Sequence, residues 1–268
     1  MAKQQVTKAE QAKLPQASTD DFEAFAGAGM ENVTSDDLLV PRLAVLQALS
    51  PQVNKRKGEY IEGAEVGMIA DVGTQEIYPD GVWFLPVFYR KDYLEWAPRE
   101  SGKGLVGIHS DPAILDQCTR NDRNQPVLPN GNYIAETAQF FGLNLTSGRR
   151  MCYVPMTSSQ LKKARRWNTL AMGEKLKRGD GTEFTAPFFY RTYHLTTSEE
   201  SNNDGDWFGW KVERGLALPE ISEDEHGINW HQLKEEAVSF RESLMKGEAR
   251  GDVSDLGSEA ASSEEGAM

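Results

Sequence analysis

Apolar and polar positions are unevenly patterned along the chain. Through residue 37, apolar residues are scattered among Ala, Gln, Lys, Thr and Asp, and no period emerges. At Leu38 the pattern sets in. After Leu39-Val40-Pro41, the residues Leu43, Val45, Gln47 and Leu49 recur at period two, which predicts a strand. Leu39, Leu43 and Leu46 also fit a short helix opening at Pro41, which is the alternative. Ser50-Pro51 ends the element. Val66 to Val72 predicts a second strand, and Tyr78-Pro79-Asp80-Gly81 has the composition of a type I β-turn. Val82 to Tyr89 is apolar at both parities, so it predicts a central or doubly covered strand. Pro86 removes one ladder donor there and implies an edge or a bulge.

From Pro98 to Asn132 the chain holds many Gly and Pro and few large apolar residues, which predicts a long, partly ordered insertion between strands. Tyr133 to Leu145 and Arg149 to Met156 resume strand patterns around a Thr146-Ser147-Gly148 turn. Thr157-x-x-Gln160 is a capping-box pattern that opens a helix reaching Met172. Leu161, Ala164, Trp167, Leu170 and Ala171 share one side of that helix, and Lys162, Arg165 and Arg166 the other, with Lys163 at the border. Pro187 to Thr197 and Trp207 to Glu213 read as a hairpin around a polar loop, Glu199 to Asp206. Its alternation places Phe189, Tyr193 and Leu195 on one face and Phe188, Tyr190 and His194 on the other. Trp230, Leu233, Ala237, Phe240 and Leu244 keep a helical spacing up to Gly247, a natural stop.

The expected organisation is a disordered leader (1–37), one β-rich domain (38–215, with the insertion at 98–132), a C-terminal helical segment (216–250) and an acidic disordered tail (251–268). The fold class is α+β and β-rich.

Charge sharpens this picture. The chain of 268 residues carries a net charge of −12. That charge sits at the two ends, since residues 38–216 hold 21 acids against 22 bases. Between Arg149 and Arg178 there are nine Lys or Arg and one acid, Glu174, a local charge of plus eight. A global field of this sign repels nucleic acid, but a local basic face can still bind it. No run of 18 apolar residues is present, so no membrane-spanning helix is expected. The first residues lack an apolar h-region, and Cys118 and Cys152 stand alone, which favours a cytoplasmic chain with free thiols.

No catalytic motif stands out. There is no GxxxxGK[ST] and no GxGxxG after a strand; His226 and His231 sit five apart, a poor match to helical metal pairs. No cofactor, no metal and no enzymatic activity are expected. The binding reading is better supplied. Cations on a helix face neutralise phosphates without reading sequence, and rings on strands stack bases. The candidate DNA-binding residues are therefore Arg149, Arg150, Lys162, Lys163, Arg165, Arg166, Trp167, Tyr190, Arg191, Tyr193, Trp207, Trp210 and Lys211.

Two segments carry a resemblance. One is Leu39-Val40-Pro41-Arg42-Leu43 with Gln47 and Ser50-Pro51. The other runs from Ser158-Ser159-Gln160-Leu161, Lys162, Lys163 and Trp167 through Pro187-Phe188-Phe189, Tyr193 and Leu195-Thr196-Thr197 to Glu200-Ser201-Asn202, Gly205-Asp206-Trp207 and Gly209-Trp210. Together they resemble a family of tailed-phage single-stranded DNA-binding proteins. The resemblance implies an OB-type antiparallel barrel with an inserted helix, an acidic C-terminal tail, and a role in phage DNA replication and recombination in the host cytoplasm. It implies single-stranded DNA as the partner, phage replication or recombination proteins reached through the tail, and a possible homo-oligomer. One departure is the tail end, Glu264-Glu265-Gly266-Ala267-Met268, which lacks the aromatic residue with which many such tails dock. A phage structural or assembly protein that uses the aromatic hairpin as a subunit interface, or a single-strand annealing protein, are the other readings.

Overall fold

The computed structural model describes residues 25, 28–32, 39–122, 124–202, 205–247 and 249–251. The predicted leader falls almost wholly outside the described residues, as does the predicted tail beyond Gly251. Four short strands come first: β1 (Leu39–Val40), β2 (Leu43–Val45), β3 (Ile69–Asp71) and β4 (Glu76–Tyr78). Then follow β5 (Val82–Trp96), β6 (Leu105–His109), β7 (Thr119–Arg120), β8 (Pro126–Val127), β9 (Tyr133–Asn144) and β10 (Arg150–Thr157). Helix α1 (Leu161–Met172) leads to β11 (Lys175–Lys177), β12 (Glu183–Thr185), β13 (Arg191–Asn202) and β14 (Gly205–Ala217). The short α2 (Glu223–His226), α3 (Trp230–Lys246) and β15 (Arg250–Gly251) complete the described chain.

Antiparallel β5 and β9 form the spine of one curled sheet, a half-barrel in the order β14-β13-β5-β9, with β10 on the far side of β9. The run of apolar residues at both parities has a direct cause, because these strands are covered on both faces. Phe84, Phe140, Val154 and Met156 point into the concave core with Tyr193, Leu195 and Trp210, where Trp167 of α1 plugs it. Leu85, Phe141, Leu143 and Tyr153 alternate to the convex side, where α3 packs Leu233, Ala237, Phe240 and Leu244 against them. Helix α3 ends at Gly247, which adopts the left-handed φ of 77° that its cap requires. The register between β5 and β9 shifts between Pro86 and Phe88, the bulge that Pro86 implies.

Several local expectations are corrected. Thr157 makes no side-chain cap bond; Ser158–Gln160 form a 3-10 turn before α1, and the Gln160 side chain is drawn to β14 instead. Phe188–Tyr190 are a 3-10 turn rather than strand, so the alternation predicted across them does not hold. The polar stretch expected to be a long loop is strand, with pairing running out to Asn202 opposite Gly205. Those charged residues pair across the ladder, and their polarity marks an exposed strand end rather than a loop. The stretch from Pro98 to Asn132 supplies β6, on the edge of β5, and β7–β8 beside β9. Strands of two to five residues interrupted by glycine leave too short a period to read.

The curled sheet leaves a seam between the outer edges of β10 and β14. The segment from Pro41 to Gln47 spans it. On one side Tyr153 N donates to Pro41 O at 3.0 Å, and Arg42 bridges to Tyr153 in parallel. On the other, the Gln47 side chain meets the backbone of Phe208. Strand β2 also carries the small β2-β3-β4 sheet, whose turn is held by the buried Asp71 accepting from Gly73 N and Thr74 N.

Candidate nucleic-acid interface

The seam is built from glutamines. Strand β14 pairs with β13 along one edge, which leaves Phe208 and Trp210 presenting backbone groups on the other. Gln47 Oε1 accepts from Phe208 N at 3.0 Å, and its Nε2 donates to Phe208 O at 2.8 Å. Gln160 Oε1 accepts from Trp210 N at 2.9 Å. Two side-chain amides thus stand in for a neighbouring strand and satisfy an edge that would otherwise lie unpaired. Side chains leave more space than a ladder, and a pocket opens there. It is lined by Leu43, Val45, Gln47, Ser158, Trp207 and Phe208, among others.

A polar cluster sits at its side. Glu200 of β13 is bound by Lys163 Nζ and accepts from Trp207 Nε1 at 3.0 Å and from Gln160 Nε2 at 3.3 Å. Both ends of the ion pair are about three-quarters covered, with side-chain exposures of 26% and 23%. Partial burial pulls the Lys163 ammonium below its ordinary range. The cluster closes over Gly209, where an added Cβ would lie 2.5 Å from Glu200 Oε1, 2.6 Å from Lys163 Nζ and 2.7 Å from Gln160 Nε2.

Helix α1 starts at the rim of this pocket. Ala164 and Trp167 face the core, and Lys162, Arg165 and Arg166 are exposed on the opposite side. Among the described residues none forms an ion pair with these three cations. Next in the chain, the β11–β12 hairpin exposes Lys175 and Lys177, with Arg178 over the Phe184 ring at 4.8 Å.

The thirteen residues that the sequence singles out therefore fall in different places. Lys162, Lys163, Arg165, Arg166, Trp207 and Trp210 are gathered around the seam and α1. Trp167 and Tyr193, 1% and 2% exposed, belong to the core, where Trp167 stacks on Phe140 with centroids 4.1 Å apart. No surface is left on them for a base. Trp210 is also buried, though its edge lines the pocket. Arg149 and Arg150 lie at the opposite end of β10 from the pocket, about 23 Å away along an eight-residue strand. They pair with Glu236 and Glu76 at 3.1 and 2.5 Å. Tyr190 and Arg191 lie at the end of the hairpin remote from Trp207. There Arg191 donates two bonds to Glu174, which hold that carboxyl below its usual range. Lys211 pairs with Glu213 at 3.1 Å. The polar members of the cluster, Gln47, Gln160 and Glu200, carry neither the charge sign nor the ring by which a binding surface is sought. A Gln interrupting the apolar run at Val45-Leu46 is the one local signal.

A family model described as Pam3 phage gp34-like protein matches residues 8–250. The chain belongs to that family of phage proteins. No curated protein and no solved structure matches it.

Proposed function

We propose that this member of the Pam3 phage gp34-like family binds single-stranded DNA without sequence preference and without catalysis, in phage DNA replication or recombination in the host cytoplasm. The half-barrel with its spanned seam is read as an OB-type barrel, a fold that offers single strands a strand face. One observation carries the reading: the three exposed cations of α1, which form no ion pair among the described residues, adjoin the seam pocket that Trp207 and Phe208 help to line and from which the helix springs. Phosphates tracking Lys162, Arg165 and Arg166 would release counterions, and that supplies affinity without base readout. Rings beside them stack bases at about 1–3 kcal/mol each. Burial of Tyr193 and Trp210 leaves Trp207 and Phe208 as the hairpin rings open to a base or, in the alternative reading, to a second subunit. The test is tryptophan emission on adding oligonucleotides. Single-stranded DNA should quench it strongly and duplex much less; no quenching by either at saturating concentration would sink the reading.

A further inference from the structure

We infer that the seam pocket receives one unstacked base while its phosphate stays outside on α1, and that Glu200 enforces this division. The inference rests on the proposed single-strand binding and adds where each part of a nucleotide goes.

The walls are suited to a base face. Leu43, Val45, Phe208 and Trp210 line it on the core face of β14, and Trp207, on the other face of that strand, lines it beside Glu200. The pocket measures about 80 Å³, room for roughly five to eight water-sized spheres.

The charge beside the pocket disfavours phosphate. No cation lines the pocket among the described residues; Lys163 lies next to it, and Glu200 already holds that ammonium. Trp207 Nε1 and Gln160 Nε2 point at the same carboxylate, so these two donors are turned to a fixed anion. A phosphate brought there would meet a like charge at short range. The exposed cations Lys162, Arg165 and Arg166 offer it a place on the solvent side of the same helix.

The pocket also has little with which to read a base. Both glutamine amides are engaged: Gln47 bonds the Phe208 backbone through both of its amide atoms, and Gln160 accepts from Trp210 N while its Nε2 donates to Glu200 and Ser159. Ser158 and Ser159 at the mouth carry hydroxyls that rotate to suit a donor or an acceptor. Stacking without fixed edge readout tolerates every base.

The test titrates oligothymidylate and an abasic sugar–phosphate oligomer of equal length against the full chain, Trp207→Ala and Glu200→Gln, with folding checked by circular dichroism. The full chain should bind oligothymidylate more tightly than the abasic oligomer, at similar salt slopes. Trp207→Ala should lose about tenfold on oligothymidylate and little on the abasic strand. Glu200→Gln frees Lys163 for phosphate, so it should tighten the abasic oligomer most and steepen the slope by about 0.7 log unit. If Trp207→Ala does not fold, the Glu200→Gln result decides alone. Equal losses on both strands from Trp207→Ala, or unchanged affinities and slopes from Glu200→Gln, would overturn the pocket assignment while leaving single-strand binding intact. Failure of the full chain to bind either oligomer would instead remove the proposed function and this inference with it.

Discussion

Gln47 and Phe208, 161 residues apart, form a closed pair in which one side-chain amide takes both backbone groups of a strand edge. This pair joins the segment that follows β2 to the last long strand, β14. Replacing Gln47 by Ala would leave Phe208 N and O without their partner at a half-buried site. The expected loss is about 1–3 kcal/mol in denaturant unfolding. Gln47→Glu keeps the acceptor but removes the donor to Phe208 O, so it should also destabilise. A Gln47→Ala protein as stable as the parent would show that the seam is held by β10 alone.

Glu174 ties the hairpin β13–β14 to the end of α1. It takes 2.9 and 3.2 Å bonds from Arg191 and a 3.5 Å contact from Arg214. The Arg191 bonds, with the charge of Arg191 and Arg214, lower the folded carboxyl's pKa. A depressed pKa means the stabilisation is complete above the unfolded carboxyl's value and is lost as pH falls through the folded one. Glu174→Gln should therefore destabilise at neutral pH by about 1–3 kcal/mol and flatten the acid limb of the stability profile. Parallel acid limbs in parent and variant would place the acid-sensitive group elsewhere.

Trp167 and Trp207 separate structure from binding. Trp167 lies against Phe140, Phe84, Phe188 and Tyr193 in the concave core. Trp167→Ala should cost about 3–5 kcal/mol of stability. A binding loss from Trp167→Ala at unchanged melting temperature would contradict its place in the core.

Much of the fold is legible in the chain. The doubly apolar run at Val82 marks a strand covered on both faces, and Leu233 to Leu244 mark the helix that covers one of them. Pro86 marks an edge or a bulge, and the register shift after it is the bulge. What is not legible has a common physical cause, which is contact between distant segments. Period two separates two faces of a hairpin but does not say which face is covered, so Tyr193 and Trp207 read alike though one is core and one lines the pocket. Local charge counts treat Arg149, Arg150 and Arg191 as available cations. Their partners Glu236, Glu76 and Glu174 come from other elements and neutralise them. The seam itself is closed by neutral amides, which leave no trace in charge and, at Gln47, only a break in an apolar run.

The most direct measurement of the central claim is a titration of single-stranded and duplex oligonucleotides across salt, with the parent chain and the Arg165→Ala/Arg166→Ala double variant. The parent should bind the single strand in preference to duplex, with log affinity falling linearly against log salt. Each lost phosphate contact is worth about 0.7 log unit of slope on single strands, so the double variant should flatten the slope by roughly 1.4. A folded double variant with unchanged affinity and slope, or a parent that binds neither strand form, would contradict the account.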